Sequence, residues 1–364
     1  MRLALLQNIL APYRIPLFAG LAQSPGVEFQ LFLSARSERR RSWEIDFDNL
    51  PFRCEFVPNV TVRAGYEREV QFSYGLPGAL ARFRPDVIVC GGFSLQTLLS
   101  LIYKARAGAR LYVWSEGHNR SRRAIRRWIT RQADGYLASG AFARDGLLRL
   151  GAPPKLIYTV YNCVDVPGLS AQAGRHRRQL PPRRRAEPAV LYVGQLVERK
   201  GVWDLVRAFE QVQQQIPEAR LVMVGDGPLA QNLADYCQSK SLRAALPGFV
   251  QERGLAAYYA EARVFALATH GDIGPFVLLE ALACGLPVVV SDAAGHVPDA
   301  IEDGRNGFIF PAGDHTALAA RLIQVLSDEA LQARLAAAAS ASSQKFTVES
   351  TTRAFLQALG PPVP

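Results

Sequence analysis

The chain has 364 residues, of which 49% are hydrophobic and 20% charged. That length suits two domains of roughly 150–200 residues, and the composition excludes disordered and fibrous proteins. The formal net charge of +10 comes mainly from arginine, whose planar fork fits phosphates. An acidic partner is therefore expected: nucleic acid, an anionic membrane face or a phosphorylated small molecule.

From the first residue, short apolar runs alternate with helical patterns. Residues 1–7 predict a buried strand, 15–21 the helix after it, and 29–33 a second strand. Residues 86–92 predict a strand closed by Gly91-Gly92. Residues 110–115 predict another, followed by the loop Glu116-Gly-His-Asn119. A short strand at 135–139 has a helix behind it. Continuous apolar strands separated by helices mean a parallel sheet covered on both faces. In the cluster Arg120–Trp128, arginines interleave with Ile125 and Trp128, and Ile129 follows. It reads as an interfacial amphipathic helix on an anionic membrane, with a solvated charged face as the alternative.

Residues 166–187 are rich in Pro, Arg, Gln and Gly and show no periodicity, so they read as a basic linker. The pattern then restarts. Strands are expected at 189–194, 219–225, 264–268 and 287–291, with a helix at 203–213. An Ala- and Leu-rich helical region covers 314–339, and a last helix covers 346–359. The expected division is 1–167, a linker at 168–187, 188–345, and a terminal segment 346–364 returning to the first domain. Such βα halves bind ligands at the carboxyl ends of their strands. No run of about 18 apolar residues occurs to span a membrane. The opening residues lack a signal-peptide pattern. The five cysteines show no zinc spacing and read as reduced core residues. A cytoplasmic protein is expected.

Residues 269–292, THGDIGPFVLLEALACGLPVVVSD, concentrate the chemistry. Asp272 and Gly274 fall in a loop after a strand. Pro275 takes the first helical position, where its missing N–H costs nothing, and Gly285 stops the helix. The helix N-terminus suits phosphate. Asp272 and Glu280 would repel phosphate but accept strong hydrogen bonds from hydroxyls. A ligand with phosphate in the middle and sugars on both sides fits, and that is a nucleotide sugar. The plainer alternative makes Asp272 a helix cap and Glu280 a surface residue, although Glu280 stands inside the apolar run FVLLEALA.

The same segment resembles the acid-x7-acid motif of the family 4 glycosyltransferases. Further matches follow the family's order. Val193–Val202 resembles its Gly-Arg-Leu and Lys-Gly strand exit, and Val224–Pro228 its Val-Gly-Asp-Gly-Pro. Leu246–Val250 resembles the segment whose backbone meets the nucleobase. Asn162–Asp165 and Asn306–Pro311 resemble its Asn-x-Val-Asp and Asn-Gly-x-x-x-Pro. In the N-terminal half the match rests on Ala11–Arg14 and Ser115–His118.

The resemblance implies a GT-B fold, an α/β architecture of two Rossmann-like doubly wound domains facing a central cleft. It implies retaining transfer of a sugar from a UDP- or GDP-sugar, with closure of the domains excluding water. Lys200 would neutralise the leaving diphosphate, Glu280 would hold the ribose and Asp272 the transferred sugar. Gly194, Gln195, Arg199, Gly225, Val250, Gly274, Phe276 and Val277 would complete the donor site. Glu116 and His118 are candidates for the catalytic loop, and Tyr13 and Arg14 for the acceptor side. No metal or other cofactor is implied. Three departures stand out: Gln195 where the family often has Arg, Asp272 where Glu is commoner, and Ile273-Gly274-Pro275 where Gly-Phe-Gly is usual. Arg199 is the candidate to restore the charge lost at Gln195.

The Arg120–Trp128 cluster suits a saccharide or lipid-linked acceptor at the inner membrane face. With an Ala-, Arg- and Leu-rich composition, this points to polysaccharide or lipopolysaccharide synthesis in a bacterium. Three alternatives remain. A metal-dependent transferase of the other large fold would need an Asp-x-Asp, and only Asp46-Phe-Asp48 offers one. A nucleic-acid binder would need a motif beside the arginines. A nucleotide-sugar-binding, hydrolysing or epimerising relative would share the fold without transferring the sugar.

Overall fold

The computed structural model describes residues 1–38, 43–63, 69–117 and 123–360. It divides into two units, Met1–Cys163 with the segment from Val348 on, and Val164–Thr347.

In the first unit the elements run β1 (Arg2–Gln7), α1 (Ile15–Ala22), β2 (Glu28–Leu33), β3 (Arg53–Phe56), β4 (Val60–Arg63), β5 (Glu69–Phe72), α2 (Leu76–Phe83), β6 (Val87–Gly91), α3 (Leu95–Ala107), β7 (Arg110–Ser115), α4 (Arg123–Thr130), β8 (Gly135–Ala138), α5 (Ala141–Arg149) and β9 (Ile157–Thr159). Seven strands form one parallel sheet in the order β3-β2-β1-β6-β7-β8-β9. Alternate residues feed two cores, as the two-residue period of a strand requires. Leu3, Leu5, Leu31, Val87 and Val89 face one core. Ala4, Leu6, Ile88, Cys90 and Val113 face the other. The antiparallel hairpin β4–β5 stands outside this sheet.

The second unit begins with α6 (Val166–Gln179) and α7 (Pro182–Ala186). It continues through β10 (Ala189–Val193), α8 (Val202–Gln215), β11 (Arg220–Val224), α9 (Ala230–Ser239), β12 (Ala244–Gly248), α10 (Glu252–Glu261), β13 (Val264–Leu267), α11 (Phe276–Ala283), β14 (Val288–Ser291), α12 (Val297–Ala300), β15 (Gly307–Phe310), α13 (His315–Ser327) and α14 (Glu329–Ser343). Its parallel sheet has the order β12-β11-β10-β13-β14-β15. Counted within the unit this is 3-2-1-4-5-6, and the direction of winding reverses between β10 and β13. Pro247 lies in β12, an edge strand, where a missing N–H is tolerated. The final helix, α15 (Val348–Leu359), belongs to the first unit and packs on α1.

The stretch 168–187, read above as a linker, is instead mostly helical and part of the second unit. Asp165 caps α6 by accepting from the Gly168 N–H at 3.0 Å. Val166, Leu169, Ala173 and Arg177 form a narrow stripe at helical spacing, and α6 packs on α10 and α11. Too few of its residues are apolar for that period to show in the sequence. The helical region 314–339 is likewise two helices, broken at Asp328, whose carboxylate accepts from the Leu331 N–H at 2.9 Å to start α14. Pro275 is the N-cap of α11 with extended backbone, one residue before the position expected for it.

Candidate functional site

In the second unit the loops leaving β10 and β13 lie side by side at the reversal of winding, where a doubly wound sheet opens a crevice. Close backbone approach joins them. Gly201 has φ of +63°, and a Cβ there would come within 1.8 Å of the Ala268 carbonyl oxygen. Only glycine combines that conformation with that contact. The Arg199 carbonyl accepts from the Thr269 hydroxyl at 3.0 Å and the His270 N–H at 2.9 Å. Arg199 Nη1 donates to the Gly271 carbonyl at 2.5 Å.

This junction brings Lys200 against Asp272. The two side chains form an ion pair and are 13% and 14% exposed. Both predicted residues are therefore in one place, but paired with each other, which sequence spacing did not show. Beneath them the buried Tyr192 hydroxyl donates to the Gln195 carbonyl at 2.8 Å. Burial, and after it the Asp272 carboxylate, push the Tyr192 hydroxyl far above the usual tyrosine range, so it stays a donor. Gly194 donates its N–H to the Val224 carbonyl and Gly225 to Gly248, each at 2.9 Å. The loops after β10, β11 and β12, with Gln195 and Val250, thus share the carboxyl edge of the sheet.

Gly274 leads into α11, whose Phe276 is buried in edge-to-face contact with His296 at 6.2 Å between ring centroids. His296 Nδ1 lies 3.2 Å from the Pro275 carbonyl. Val277 is half-buried in the first turn. One turn further on, Glu280 is only 7% exposed. It is no surface residue: its Oε2 accepts from the Tyr259 hydroxyl at 2.8 Å. Burial pushes its carboxyl up to about 7, the Tyr259 bond working against that rise.

Sequence reasoning missed Tyr259, Tyr192 and a contact between His270 Nε2 and Asp204 Oδ2 at 2.8 Å. The two tyrosines carry no mark of the site in their own stretches of sequence, and although His270 lies within residues 269–292, its partner Asp204 is on α8, so no local spacing shows the contact.

In the first unit, Arg14 is 8% exposed. Its guanidinium lies 4.0 Å from the Trp114 ring and forms an ion pair with Glu116. Burial lowers its pKa from the ordinary value. Tyr13 packs edge-on to Trp43 at 5.7 Å. His118, with the rest of 118–122, lies outside the described residues. Asp46 and Asp48 form no strand end: Asp46 accepts from the Asp48 N–H at 3.2 Å and the Asn49 amide at 2.7 Å in a local turn.

Known proteins resemble this chain in sequence and fold. The chain is 27% identical over 292 residues to the sulfoquinovosyl transferase of Arabidopsis thaliana, covering 75% of this chain and 56% of that protein. It spans about half the length of the curated relatives it matches. Among solved structures it superposes on Anabaena HepE in complex with UDP with a TM-score of 0.79, at 19% identity and 99% coverage of both chains. It superposes on the lipopolysaccharide outer core galactosyltransferase WaaB at 0.74, with 18% identity and the same coverage. These two likenesses carry the GT-B fold. The family model "Glycosyltransferase Family 4" matches residues 18–166 and "Glycosyl transferases group 1" matches residues 176–342. With one model on each half and the fold in common, the chain belongs to the family 4 glycosyltransferases.

Proposed function

We propose that the chain is a retaining glycosyltransferase that takes a sugar from a nucleotide-sugar donor held at the β10–β13 junction. The observation that carries this reading is the half-buried Lys200–Asp272 pair beside the N-terminus of α11, with the buried Glu280 one turn on. Lys200 and Arg199 would neutralise the leaving diphosphate together with the helix terminus, so no metal is required. Asp272 would bind hydroxyls of the transferred sugar and Glu280 those of the ribose. Arg14 would act through Glu116 rather than touch an acceptor itself, since its guanidinium is already engaged. The UDP in HepE supports a uridine donor, and WaaB supports a saccharide or lipid-linked acceptor in envelope or exopolysaccharide synthesis.

Titration calorimetry with UDP-, GDP-, ADP- and TDP-sugars, with and without EDTA, tests the donor site. Binding of one nucleotide sugar that EDTA does not alter is expected. Absence of binding across the panel would overturn the reading. Nucleotide release that no acceptor accelerates would replace transfer by hydrolysis.

The acceptor would be met at the inner membrane face through α4, in a cytoplasmic protein peripheral to that membrane. Among the described residues no helix is long and apolar enough to cross a membrane. On α4, Ile125 and Trp128 are 48% and 51% exposed, and Arg127 lies exposed beside them. Apolar and cationic groups on one surface helix suit an anionic lipid interface. Sedimentation with phosphatidylglycerol-containing vesicles is expected to fall about tenfold or more in an Ile125→Ser, Trp128→Ser double variant, given the usual worth of buried apolar side chains. Equal partitioning of variant and parent would remove α4 from the membrane contact.

A further inference from the structure

The two oxygens of the Glu280 carboxylate are in different situations. Oε2 is taken by the Tyr259 hydroxyl at 2.8 Å. Among the described residues Oε1 has no hydrogen-bond partner, and it is not one of the sealed, unpartnered atoms. Tyr259, on α10, is fully buried and leans on Phe265 at 6.1 Å. Its hydroxyl also lies 3.4 Å from the Val277 carbonyl, on the turn of α11 before Glu280. The packed ring holds its hydroxyl within reach of two acceptors, and the carboxylate edge of Glu280 is the nearer and the charged one.

We propose that Tyr259 is a positioning residue of the donor site: by holding Oε2 it fixes the carboxylate so that Oε1 is aimed at a ribose hydroxyl of the bound nucleotide. The inference rests on the ribose-binding reading of Glu280. The surroundings show why such a partner is needed. From α10, Glu280 meets Tyr259 and the charge of Glu252, which disfavours a second carboxylate. On α11 it faces Cys284, whose thiol burial pushes up to about 12. From α6, Arg177 donates to the Cys284 carbonyl at 3.3 Å and not to Glu280. Among the described residues the phenol is thus the hydrogen-bond donor that favours an ionised Glu280. Burial, and then Glu280 itself, keep the Tyr259 proton well above the usual tyrosine range. It therefore remains a donor wherever the carboxylate is charged.

Removing the phenol removes a bond to the charged form, so Glu280 ionises at higher pH. Nucleotide binding that needs the carboxylate should then recover only at higher pH. The experiment measures affinity for UDP and for GDP by calorimetry from pH 6 to pH 9 in the full chain, with Tyr259→Phe, Glu280→Gln and the double variant. The nucleotide's own titration is common to all four proteins. Tyr259→Phe should bind about tenfold more weakly near pH 6.5, the size usual for a bond to a charged group, and within about threefold near pH 9. In the Glu280→Gln background the same change should have no effect. A loss independent of pH, or one that persists beside Glu280→Gln, would reduce Tyr259 to a packing residue and overturn the proposal while leaving the donor site standing. If the parent protein binds neither nucleotide at any pH, the donor-site reading itself falls, and the proposal with it.

Discussion

Lys200→Ala is expected to lower kcat/KM for sugar transfer by about 10²–10³-fold, the range found when a group aimed at developing charge is removed. In the proposed reaction the charge in question is on the departing diphosphate. Without the ammonium, Asp272 loses its ion-pair partner and its carboxylate faces that leaving group alone, so the loss should fall on kcat and on donor KM together. Asp272→Asn separates the two partners. It releases Lys200 from its ion pair, so nucleoside diphosphate should bind at least as tightly as to the parent, whereas transfer should drop if, as proposed, the sugar is held by that carboxylate. Steady-state kinetics beside calorimetry with the free diphosphate measure both. A Lys200→Ala enzyme within tenfold of the parent would show that the leaving group is stabilised elsewhere, with Arg199 the first residue to test.

The largest effect on stability is expected at Gly201. An alanine there must adopt φ near +63° and place its Cβ on the Ala268 carbonyl oxygen, which is backbone and cannot swing away. The cost is about 3 kcal/mol or more. For a unit of this size that is roughly 6–12 °C in its thermal midpoint. Gly248 provides the control. Its φ is +82°, but nothing lies within 4 Å of the position its Cβ would take, so Gly248→Ala should cost only about 1–2 kcal/mol, the conformational part alone. Calorimetric melting of the two variants distinguishes conformation from collision. Equal midpoints would mean that the β10 and β13 loops can move apart. Because Gly201 carries Lys200 against Asp272, its variant should also lose donor affinity.

These two expectations draw on different sources. The strand–loop–helix–strand unit around Asp272 and Glu280 was legible because each of its parts has a local cause. A valine run makes β14, Pro275 sits at the start of α11, and Gly285 adopts φ of +65° just past its end. The position of Lys200 was legible through the strand exit it follows. What it touches was not, since an ion pair across 72 residues depends on how two loops cross. Glu280 stood out as a charge in an apolar run, but the phenol that satisfies it lies 21 residues earlier on another helix. The helix α6 was hidden for a compositional reason: glycine, glutamine and arginine make up half of it, and only Val166 and Ala173 are fully buried. The hairpin β4–β5 was hidden because Val60, Val62 and Phe72 are exposed, so burial does not dictate their pattern.

The placement of α15 has a consequence for how the protein comes to exist. Phe355 meets Trp114 at 5.5 Å between ring centroids, and with Ala358 and Leu359 it lies in the same core as Leu3, Leu5 and Phe18. On the ribosome those three residues emerge only after all of Val164–Thr347 has been made. The second unit is continuous and can close as soon as it is out. The first begins earlier yet must wait with part of its apolar face uncovered, so the usual order in which the leading domain finishes first is reversed. During that interval the core that holds Trp114 and Phe18 lacks the side chains that α15 later supplies.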